Sequence, residues 1–467
     1  MVFSSMIFLW IFLPVTLIVY YLLHLTRSIK LMNIWLLCAS IFFYSWGEPR
    51  YMALLIVSVC INFLSGLLIW YFQGKRAVKI ALFASVAANL LLLGYFKYYD
   101  FAAGLLAGLI GREVLPLKDI VLPIGISFYT FQAMSYVIDL YRGRTEVQKS
   151  LYKLALYITF FPQLVAGPIV RYRDIAEQID RRTVDLEKFT YGIQRVAIGL
   201  GKKVLIANTV AHGVDKIFAM DITYLSTPAA WAGIILYALQ IYYDFSGYSD
   251  MAIGLGKMFG FDFMENFNLP YVSKSIQEFW RRWHISLSTW FKEYLYIPLG
   301  GNRKGRARTC LNLMIVFFCT GLWHGAGLNF ILWGLFHGCF LLLERLFLGD
   351  LLERNRFKLL NHIYTLLVVL IGWVLFRAET LPQAGEYITA MFLPRYAFTD
   401  TFAELLGRNC MLAGAAGILL AGVLPKAWLV RAADNVYLRL VYVPVLVGLS
   451  IVMLASDAYN PFIYFRF

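Results

Sequence analysis

Apolar residues fill long stretches of this chain, and most stretches are close to the length that crosses a bilayer. A membrane core is spanned by about 20 apolar residues in a helix. Candidate spans lie near residues 4–24, 31–46, 51–72, 78–96, 119–141, 151–170, 190–215, 228–258, 310–324, 326–348, 359–376, 410–424 and 437–455. The pattern predicts an all-α polytopic membrane protein with about ten to thirteen transmembrane or re-entrant helices. No composition shift marks a soluble part, so we expect residues 1–467 to form a single membrane domain.

Glycine and proline interrupt three of these apolar runs. Leu122-Pro-Ile-Gly125 opens one run, Phe161-Pro-Gln-Leu-Val-Ala-Gly-Pro168 closes another, and Gly321, Gly325 and Gly327 interrupt a third. Irregular backbone at membrane depth persists only where protein or a water-filled cavity surrounds it. The interruptions therefore predict re-entrant segments that line a chamber inside one compact bundle.

A long helix is predicted from Ala229 to Phe259, and it carries two carboxylates. One face of this helix carries polar residues followed by mostly small residues, a pattern suited to close helix packing. These residues are Gln240, Asp244, Gly247, Met251 and Gly254. Asp244 and Asp250 are six residues apart and fall on different faces, which argues against a paired-carboxylate mechanism. Two interpretations of Asp244 remain, a carboxylate satisfied by a tyrosine or arginine and a group that orients a pocket residue.

Composition supports the membrane assignment. The chain is 60% hydrophobic and 15% charged, with a formal net charge of +14. Its basic clusters, such as Arg303, Lys304, Arg306 and Arg308, are typical of cytoplasmic loops beside anionic headgroups rather than of nucleic-acid sites. The run from Met1 to Tyr21 lacks a basic n-region and a cleavage site, so we expect it to remain as the first span. The six cysteines form no CxxC pair, which argues against a disulfide framework or a thiolate metal site.

Two histidines stand in unusual surroundings. His324 lies in the apolar segment Cys319-Thr-Gly-Leu-Trp-His-Gly-Ala-Gly-Leu-Asn329, where an ionisable side chain is expensive and therefore suggests function. His284 ends the segment Gln277-Glu-Phe-Trp-Arg-Arg-Trp-His284, within an amphipathic helix predicted over 279–295. We expect both to face one reaction near the centre of the bundle. His337, thirteen residues after His324, would lie roughly 20 Å away along a continuous helix and is predicted to pack between helices or to line a pore.

The chemistry open to such a histidine is general-base catalysis. A neutral imidazole can take a proton from a hydroxyl or thiol and return it to a leaving group, as acyl transfer requires. The sequence offers no HxxxH, HExxH or Cys/His cluster, so no metal is expected. A GxxxxGK[ST] phosphate loop and a GxSxG elbow are also missing, which argues against an ATP-driven pump and a serine hydrolase.

Several motifs spread over nearly the whole chain resemble the membrane-bound O-acyltransferase superfamily, and specifically its bacterial alginate O-acetylase branch. They are Phe161-Pro-Gln-Leu-Val-Ala-Gly-Pro-Ile169, Tyr243-Asp-Phe-Ser-Gly-Tyr-Ser-Asp-Met-Ala-Ile-Gly254, Gln277-Glu-Phe-Trp-Arg-Arg-Trp-His-Ile-Ser-Leu-Ser288, Tyr296-Ile-Pro-Leu-Gly-Gly-Asn-Arg303, Gly321-Leu-Trp-His-Gly325 and Asn460-Pro-Phe-Ile-Tyr-Phe-Arg-Phe467. The resemblance implies helices around a central tunnel, with His324 as the catalytic residue and His284 as its companion.

The same resemblance implies a membrane-bound O-acetyltransferase of the bacterial cytoplasmic (inner) membrane. Its expected donor is a cytoplasmic thioester, acetyl-CoA above all. Its expected partners are a periplasmic or extracellular acetyl-transferring protein and a polysaccharide acceptor, which can be alginate, another exopolysaccharide or peptidoglycan. Two alternatives stay open: a D-alanyl transferase of teichoic acid modification, and a transporter or flippase without acyl transfer, for which broken helices are equally natural.

Overall fold

The computed structural model describes residues 1–112, 114–395 and 402–456, and helices are the only regular elements in these ranges. Seven helical stretches of this part are long and apolar enough to cross a membrane: Ile29–Gly47, Pro49–Tyr71, Ala77–Ile110, Leu328–Arg354, Lys358–Arg377, Glu404–Val423 and Val436–Ser456. Phe8–His24 is a shorter apolar helix. The predicted all-α polytopic class is confirmed.

The remaining predicted spans are helical, but they are shorter or less apolar than a simple span. The run predicted over 119–141 forms a helix only from Ile126, and the run over 151–170 splits at Phe160. The long predicted helix 228–258 is present as Thr227–Met258 and is buried along most of its length. A helix that other helices surround does not need a uniformly apolar surface. The count of ten to thirteen membrane helices stays a prediction.

The described chain divides into two compact units, residues 1–196 with 251–264 and residues 197–250 with 265–467. The first unit contains helices Leu13–Leu25 (α1), Ile29–Gly47 (α2), Met52–Tyr71 (α3), Ala77–Ile110 (α4), Ile126–Tyr141 (α5), Leu151–Thr159 (α6), Phe161–Leu164 (α7), Tyr172–Asp180 (α8) and most of Leu186–Gly201 (α9). The prediction of a single membrane domain over 1–467 stays a prediction.

Helices are the only regular elements in the described part of the second unit. It contains Thr209–Phe218 (α10), most of Thr227–Met258 (α11), Ile276–Arg282 (α12), Ile285–Phe291 (α13), Arg306–His324 (α14), Leu328–Leu343 (α15), Gly349–Arg354 (α16), Lys358–Arg377 (α17), Leu381–Phe392 (α18), Phe402–Ile418 (α19), Lys426–Asp434 (α20) and Val436–Ser456 (α21). Short π-helical turns at Lys202–Asn208, Lys292–Tyr296, Glu344–Leu348 and Leu419–Val423 extend or join these helices.

In the first unit, two of the predicted interruptions pack against each other. Gly125 adopts a left-handed conformation (φ +77°) at the start of α5, and a Cβ atom there would lie 2.8 Å from the carbonyl oxygen of Leu164 at the end of α7. Only glycine combines that conformation with such a close approach. Hydrogen bonds between buried amides also connect neighbouring helices of this unit. The side chains of Asn62 on α3 and Asn89 on α4 each donate to the other at 3.0 Å.

The small-residue stripe predicted on α11 packs closely, as expected. In the second unit, a Cβ on Gly247 would lie 2.7 Å from the carbonyl oxygen of Gly199 on α9. In the first unit, a Cβ on Gly254 would lie 2.7 Å from the carbonyl oxygen of Gly192, also on α9. Backbones can approach this closely only where side chains are missing.

Helices α14 and α15 form a tight antiparallel hairpin in the second unit. A Cβ on Gly334 of α15 would lie 2.2 Å from the carbonyl oxygen of Phe317, and one on Gly321 of α14 would lie 2.4 Å from the carbonyl oxygen of Phe330. The chain reverses at Gly325–Gly327, where the sequence predicted an interruption, whereas Gly321 lies inside α14. This contact fixes His324, the last residue of α14, against α15.

Candidate functional site

His324 is presented by the end of α14. Gly325 and Gly327 on either side of the turn have extended backbone, so the helix stops and the chain reverses directly after the histidine. Only 4% of His324 is exposed. Its ring lies against Trp333 of α15 and Phe376 of α17, with centroid distances of 5.0 and 5.3 Å. The α14–α15 hairpin and α17 therefore hold one wall of the site.

His284 is presented by a sharp break between α12 and α13. The predicted continuous helix over 279–295 is wrong at this point, because Trp283 is extended and His284 is left-handed with φ +43° and ψ +56°. A non-glycine residue in this conformation costs on the order of 1–3 kcal/mol and marks a position that its surroundings impose. The break turns the imidazole into the interior of the second unit, where none of the residue is exposed.

The two predicted histidines do come together. Their ring centroids are 6.5 Å apart, and the Trp323 ring contacts both, at 5.7 Å from His284 and 4.9 Å from His324. Phe245 of α11 covers another face of His284 at 4.6 Å. The result is a pair of buried imidazoles enclosed by aromatic rings, an arrangement that excludes water from both.

Asn266 lies within hydrogen-bond distance of the His284 ring. The Asn266 side-chain oxygen lies 3.1 Å from Nδ1 of His284, and it accepts hydrogen bonds from the Ser286 backbone N–H at 3.2 Å and the Ser286 hydroxyl at 2.9 Å. The Asn266 amide group donates to the Ser249 hydroxyl on α11 at 3.0 Å. The Asn266 backbone carbonyl also accepts from Ile285 N–H at 2.9 Å. One asparagine therefore fixes both the ring and the turn that carries it.

Nε2 of His284 is the chemically available atom of this ring. It is buried and has no hydrogen-bond partner among the described residues. His284 lies outside the candidate membrane spans, and burial lowers its pKa to about 3 because desolvation disfavours the charged imidazolium. The imidazole is therefore neutral at pH 7 and able to act as a hydrogen-bond acceptor or a base.

His337 is separated from the pair by a tryptophan. The estimate of roughly 20 Å assumed one continuous helix, but the chain reverses between α14 and α15, so that distance is wrong. Trp333 lies between the two histidines, 5.0 Å from the ring of His324 and 5.3 Å from that of His337. His337 packs edge-on against Trp280 of α12 at 5.3 Å and is completely buried. These contacts agree with a packing role.

Asp244 pairs with a lysine, a partner that neither interpretation of the sequence named. Nζ of Lys203 lies 2.6 Å from an Asp244 carboxylate oxygen, and both side chains are 2% exposed. Asp250, six residues later, pairs at 2.6 Å with the neighbouring Lys202. The two carboxylates therefore have separate partners, as their different helical faces predicted. Asp244 precedes Phe245, so its ion pair anchors the stretch of α11 that covers His284.

The described residues contain no group of three or more His, Cys, Asp or Glu side chains placed to hold a metal ion. The six cysteines are all free thiols. The aromatic tail Asn460–Phe467, which carries part of the family resemblance, lies outside the described residues.

Two residues of the site were missed from sequence. Lys203 looked like part of an ordinary helix, and Asn266 like part of a loop, since neither belongs to a periodic pattern. A usable signal for Asn266 was its place in the polar segment Glu265-Asn-Phe-Asn268, directly after a long apolar helix. Buried polar groups need partners, so the polar residues of this segment are candidate hydrogen-bond partners for the buried His284.

Comparisons with known proteins agree on one family. The sequence model of the family described as MBOAT, membrane-bound O-acyltransferase family, matches residues 146–381 of this chain. This range contains both His284 and His324. The probable alginate O-acetylase of Pseudomonas putida is 41% identical over the full length of both chains. The peptidoglycan O-acetyltransferase of Helicobacter pylori is 37% identical over 84% of this chain and 80% of its own.

A more distant similarity involves a different acyl group. The teichoic acid D-alanyltransferase of Bacillus subtilis is 28% identical over 48% of this chain and 58% of its own. The O-acetyltransferases are therefore similar to this chain over a much larger part of its length.

Proposed function

Because the chain belongs to the membrane-bound O-acyltransferase family, we propose that it is an O-acetyltransferase that serves the O-acetylation of an exported polysaccharide. The family makes the chain an acyltransferase rather than a transporter or flippase. The extent of the match to alginate and peptidoglycan O-acetyltransferases favours acetyl over D-alanyl transfer.

The observation that carries this proposal is the enclosed pair of His284 and His324, whose ring centroids are 6.5 Å apart. Acyl transfer from a thioester to a hydroxyl needs a base at the attacking hydroxyl and exclusion of water that would otherwise hydrolyse the thioester. A neutral imidazole supplies the base, and the surrounding rings of Trp323, Phe245 and Trp333 supply the exclusion.

In the proposed step, His324 is the general base. The acceptor hydroxyl gives its proton to the His324 imidazole while its oxygen forms a bond to the acetyl carbonyl carbon. The carbon–sulfur bond then breaks, and the leaving thiolate takes the proton from the imidazolium. The acetyl group ends as an oxygen ester, and the free thiol and the neutral histidine are regenerated.

The wider assignments follow from the same proposal. The donor is an acetyl thioester, with acetyl-CoA arriving from the cytoplasm as the first candidate. The acceptor side requires a carbohydrate hydroxyl, reached through a periplasmic or extracellular acetyl-transferring partner. A multi-pass protein of the bacterial cytoplasmic membrane meets both requirements, since donor and acceptor then lie on opposite sides of it.

The test compares two buried histidines on one hairpin. His324→Gln is expected to abolish acetate transfer to the exported glycan, because glutamine cannot act as a base. His337→Gln is the matched control and is expected to keep most activity, since the described contacts of its ring are packing contacts with Trp280, Trp333 and neighbouring aromatic rings. Detergent-purified protein of each variant is checked for folding by size exclusion. Near-normal acetylation by folded His324→Gln protein would refute the proposal.

The identity of the acyl group is tested separately. Purified protein in lipid vesicles is given radiolabelled acetyl-CoA or a D-alanyl carrier protein, and transfer to a hydroxyl acceptor is measured. Transfer from the D-alanyl carrier alone would replace the acetyl assignment. Movement of label across the membrane without ester formation would favour a transporter.

A further inference from the structure

The orientation of the Asn266 amide is determined by a group that can only donate. The Ser286 backbone N–H lies 3.2 Å from the Asn266 side-chain oxygen. A backbone N–H has no acceptor capacity, so the atom facing it has to be the carbonyl oxygen and not the amide nitrogen. The Ser286 hydroxyl, 2.9 Å away, donates to the same oxygen, and the amide nitrogen donates in turn to Ser249 at 3.0 Å.

This orientation decides where the proton of His284 lies. The Asn266 oxygen is 3.1 Å from Nδ1 of His284, and an oxygen acceptor so close requires a donor. We propose that Asn266 is a positioning residue that holds neutral His284 with its proton on Nδ1, so that Nε2 presents a lone pair. The inference rests on the proposed function for its catalytic meaning, although the position of the proton is a property of the fold itself.

The distance between the two histidines indicates what this lone pair meets. The centroids are 6.5 Å apart. Each ring nitrogen lies about 1.1 Å from its centroid, so nitrogen atoms of the two rings are at least about 4 Å apart, beyond hydrogen-bond range. His284 and His324 therefore do not bond directly, and they cooperate only through a polar atom between them. The acceptor hydroxyl of the proposed reaction is such an atom.

The assignment also restricts the role of His284. In its neutral resting form, Nε2 accepts a hydrogen bond but has none to donate, so it does not stabilise a developing oxyanion. It orients the acceptor hydroxyl instead, by accepting its O–H hydrogen bond in the resting complex. The O–H then rotates from Nε2 of His284 to the His324 imidazole, and that base takes the proton as the oxygen attacks. A buried acceptor left without any partner costs about 1–3 kcal/mol, and binding of a hydroxyl relieves that cost at Nε2.

Asn266 makes the strained backbone of His284 possible as well. Its backbone carbonyl accepts from Ile285 N–H at 2.9 Å, directly after the left-handed residue. Left-handed backbone at a residue other than glycine persists only where the surroundings impose it. The same asparagine therefore sets the direction of the His284 side chain and its protonated nitrogen.

The first experiment reads the proton position without any activity. Full-length protein labelled with ¹⁵N-histidine in lipid is examined by solid-state NMR, and the His284 signals are identified by their loss in His284→Gln. Protonated and unprotonated ring nitrogens have well-separated shifts. We expect protonated Nδ1 and unprotonated Nε2. A wild-type spectrum with the proton on Nε2 would overturn the inference, whether or not the protein transfers acetyl groups.

The second experiment separates the hydrogen bond from simple packing. Asn266→Leu removes the acceptor, so Nε2-protonated His284 should appear and acetyl transfer should fall by about 10²-fold or more. Asn266→Asp keeps an oxygen for Nδ1–H and for Ser286 N–H, so the Nδ1-protonated form should persist, with activity within about tenfold of wild type. Asn89→Leu, a buried asparagine of α4, controls for loss of a buried amide and should leave the His284 signals unchanged.

The outcomes of the two experiments are distinguishable. Unchanged His284 shifts in Asn266→Leu, or loss of the Nδ1 proton in Asn266→Asp, would remove Asn266 from its positioning role. If the wild-type shifts are as expected but no acetyl transfer is found, the proposed function fails and the proton assignment stands.

Discussion

Replacement of Lys203 by methionine removes the cation that lies 2.6 Å from the buried Asp244 carboxylate. The two charged atoms are 2.6 Å apart and both side chains are 2% exposed, so water does little to screen them. At an effective dielectric constant of about 20, unit charges at this distance attract by about 6 kcal/mol, much of which offsets the desolvation of the two ions. Loss of one partner of a buried pair typically costs about 3–5 kcal/mol. We therefore expect Lys203→Met, and equally Asp244→Leu, to lower the free energy of unfolding by about 3–5 kcal/mol.

The double variant Lys203→Met/Asp244→Leu decides whether this reasoning holds. It removes both charges and leaves apolar side chains, so it should be less destabilised than either single variant, with a coupling energy of at least about 2 kcal/mol. Unfolding is followed by tryptophan fluorescence during titration with a denaturing detergent. Lys188→Met breaks an exposed 3.5 Å pair with Asp262 and should cost less than about 1 kcal/mol. Additive effects in the double variant, or single variants no worse than Lys188→Met, would refute the argument.

Two further predictions concern the elements that hold the site. Gly334→Ala places a Cβ 2.2 Å from the carbonyl oxygen of Phe317, so α14 and α15 must separate. We expect the free energy of unfolding to fall by about 1–3 kcal/mol and acetyl transfer to be reduced. Gly94→Ala on α4, where no atom lies within 4 Å, is the control and should be neutral or slightly stabilising, so equal effects of the two would contradict the packing argument. The Glu344 carboxylate accepts hydrogen bonds from Ile276 N–H at 2.5 Å and Gln277 N–H at 2.9 Å at the start of α12. We expect Glu344→Gln to lower the free energy of unfolding, measured by thermal unfolding, by about 1–2 kcal/mol. The exposed Glu353→Gln should change stability by only a few tenths of a kcal/mol, and a similar loss there would contradict the capping role of Glu344.

Elements that depend on local pattern could be predicted from the sequence. The helix expected from Ala229 to Phe259 is present as Thr227–Met258, because apolar periodicity over eight turns leaves little alternative. An interruption here was predicted from Gly321, Gly325 and Gly327, and the chain does break and reverse at the last two. Even the meeting of His284 and His324 was expected, because an ionisable group in an apolar segment suggests function and the family resemblance pairs these two histidines.

Features that depend on contacts between distant residues could not be predicted. The stripe from Trp280 to Tyr294 fits a continuous amphipathic helix, and nothing in the local sequence indicates that His284 becomes left-handed, a conformation usually given to glycine or asparagine. The backbone there depends on Asn266, eighteen residues earlier. Likewise, Lys203 and Asp244 lie on different helices, and an ion pair between them leaves no periodic trace in either helix.

The short reversal between α14 and α15 has a consequence for the order in which the protein assembles. The hairpin joins residues close in sequence, with only Gly325–Gly327 between its helices, so closing it costs little chain entropy. Local contacts of this kind form early in folding. His324 therefore gains its Trp333 wall from this hairpin alone, whereas His284 depends on Asn266 and α11, which lie eighteen or more residues earlier in the chain. We therefore expect the His324 half of the site to form with the α14–α15 hairpin, and the His284 half to need contacts over a longer stretch of chain.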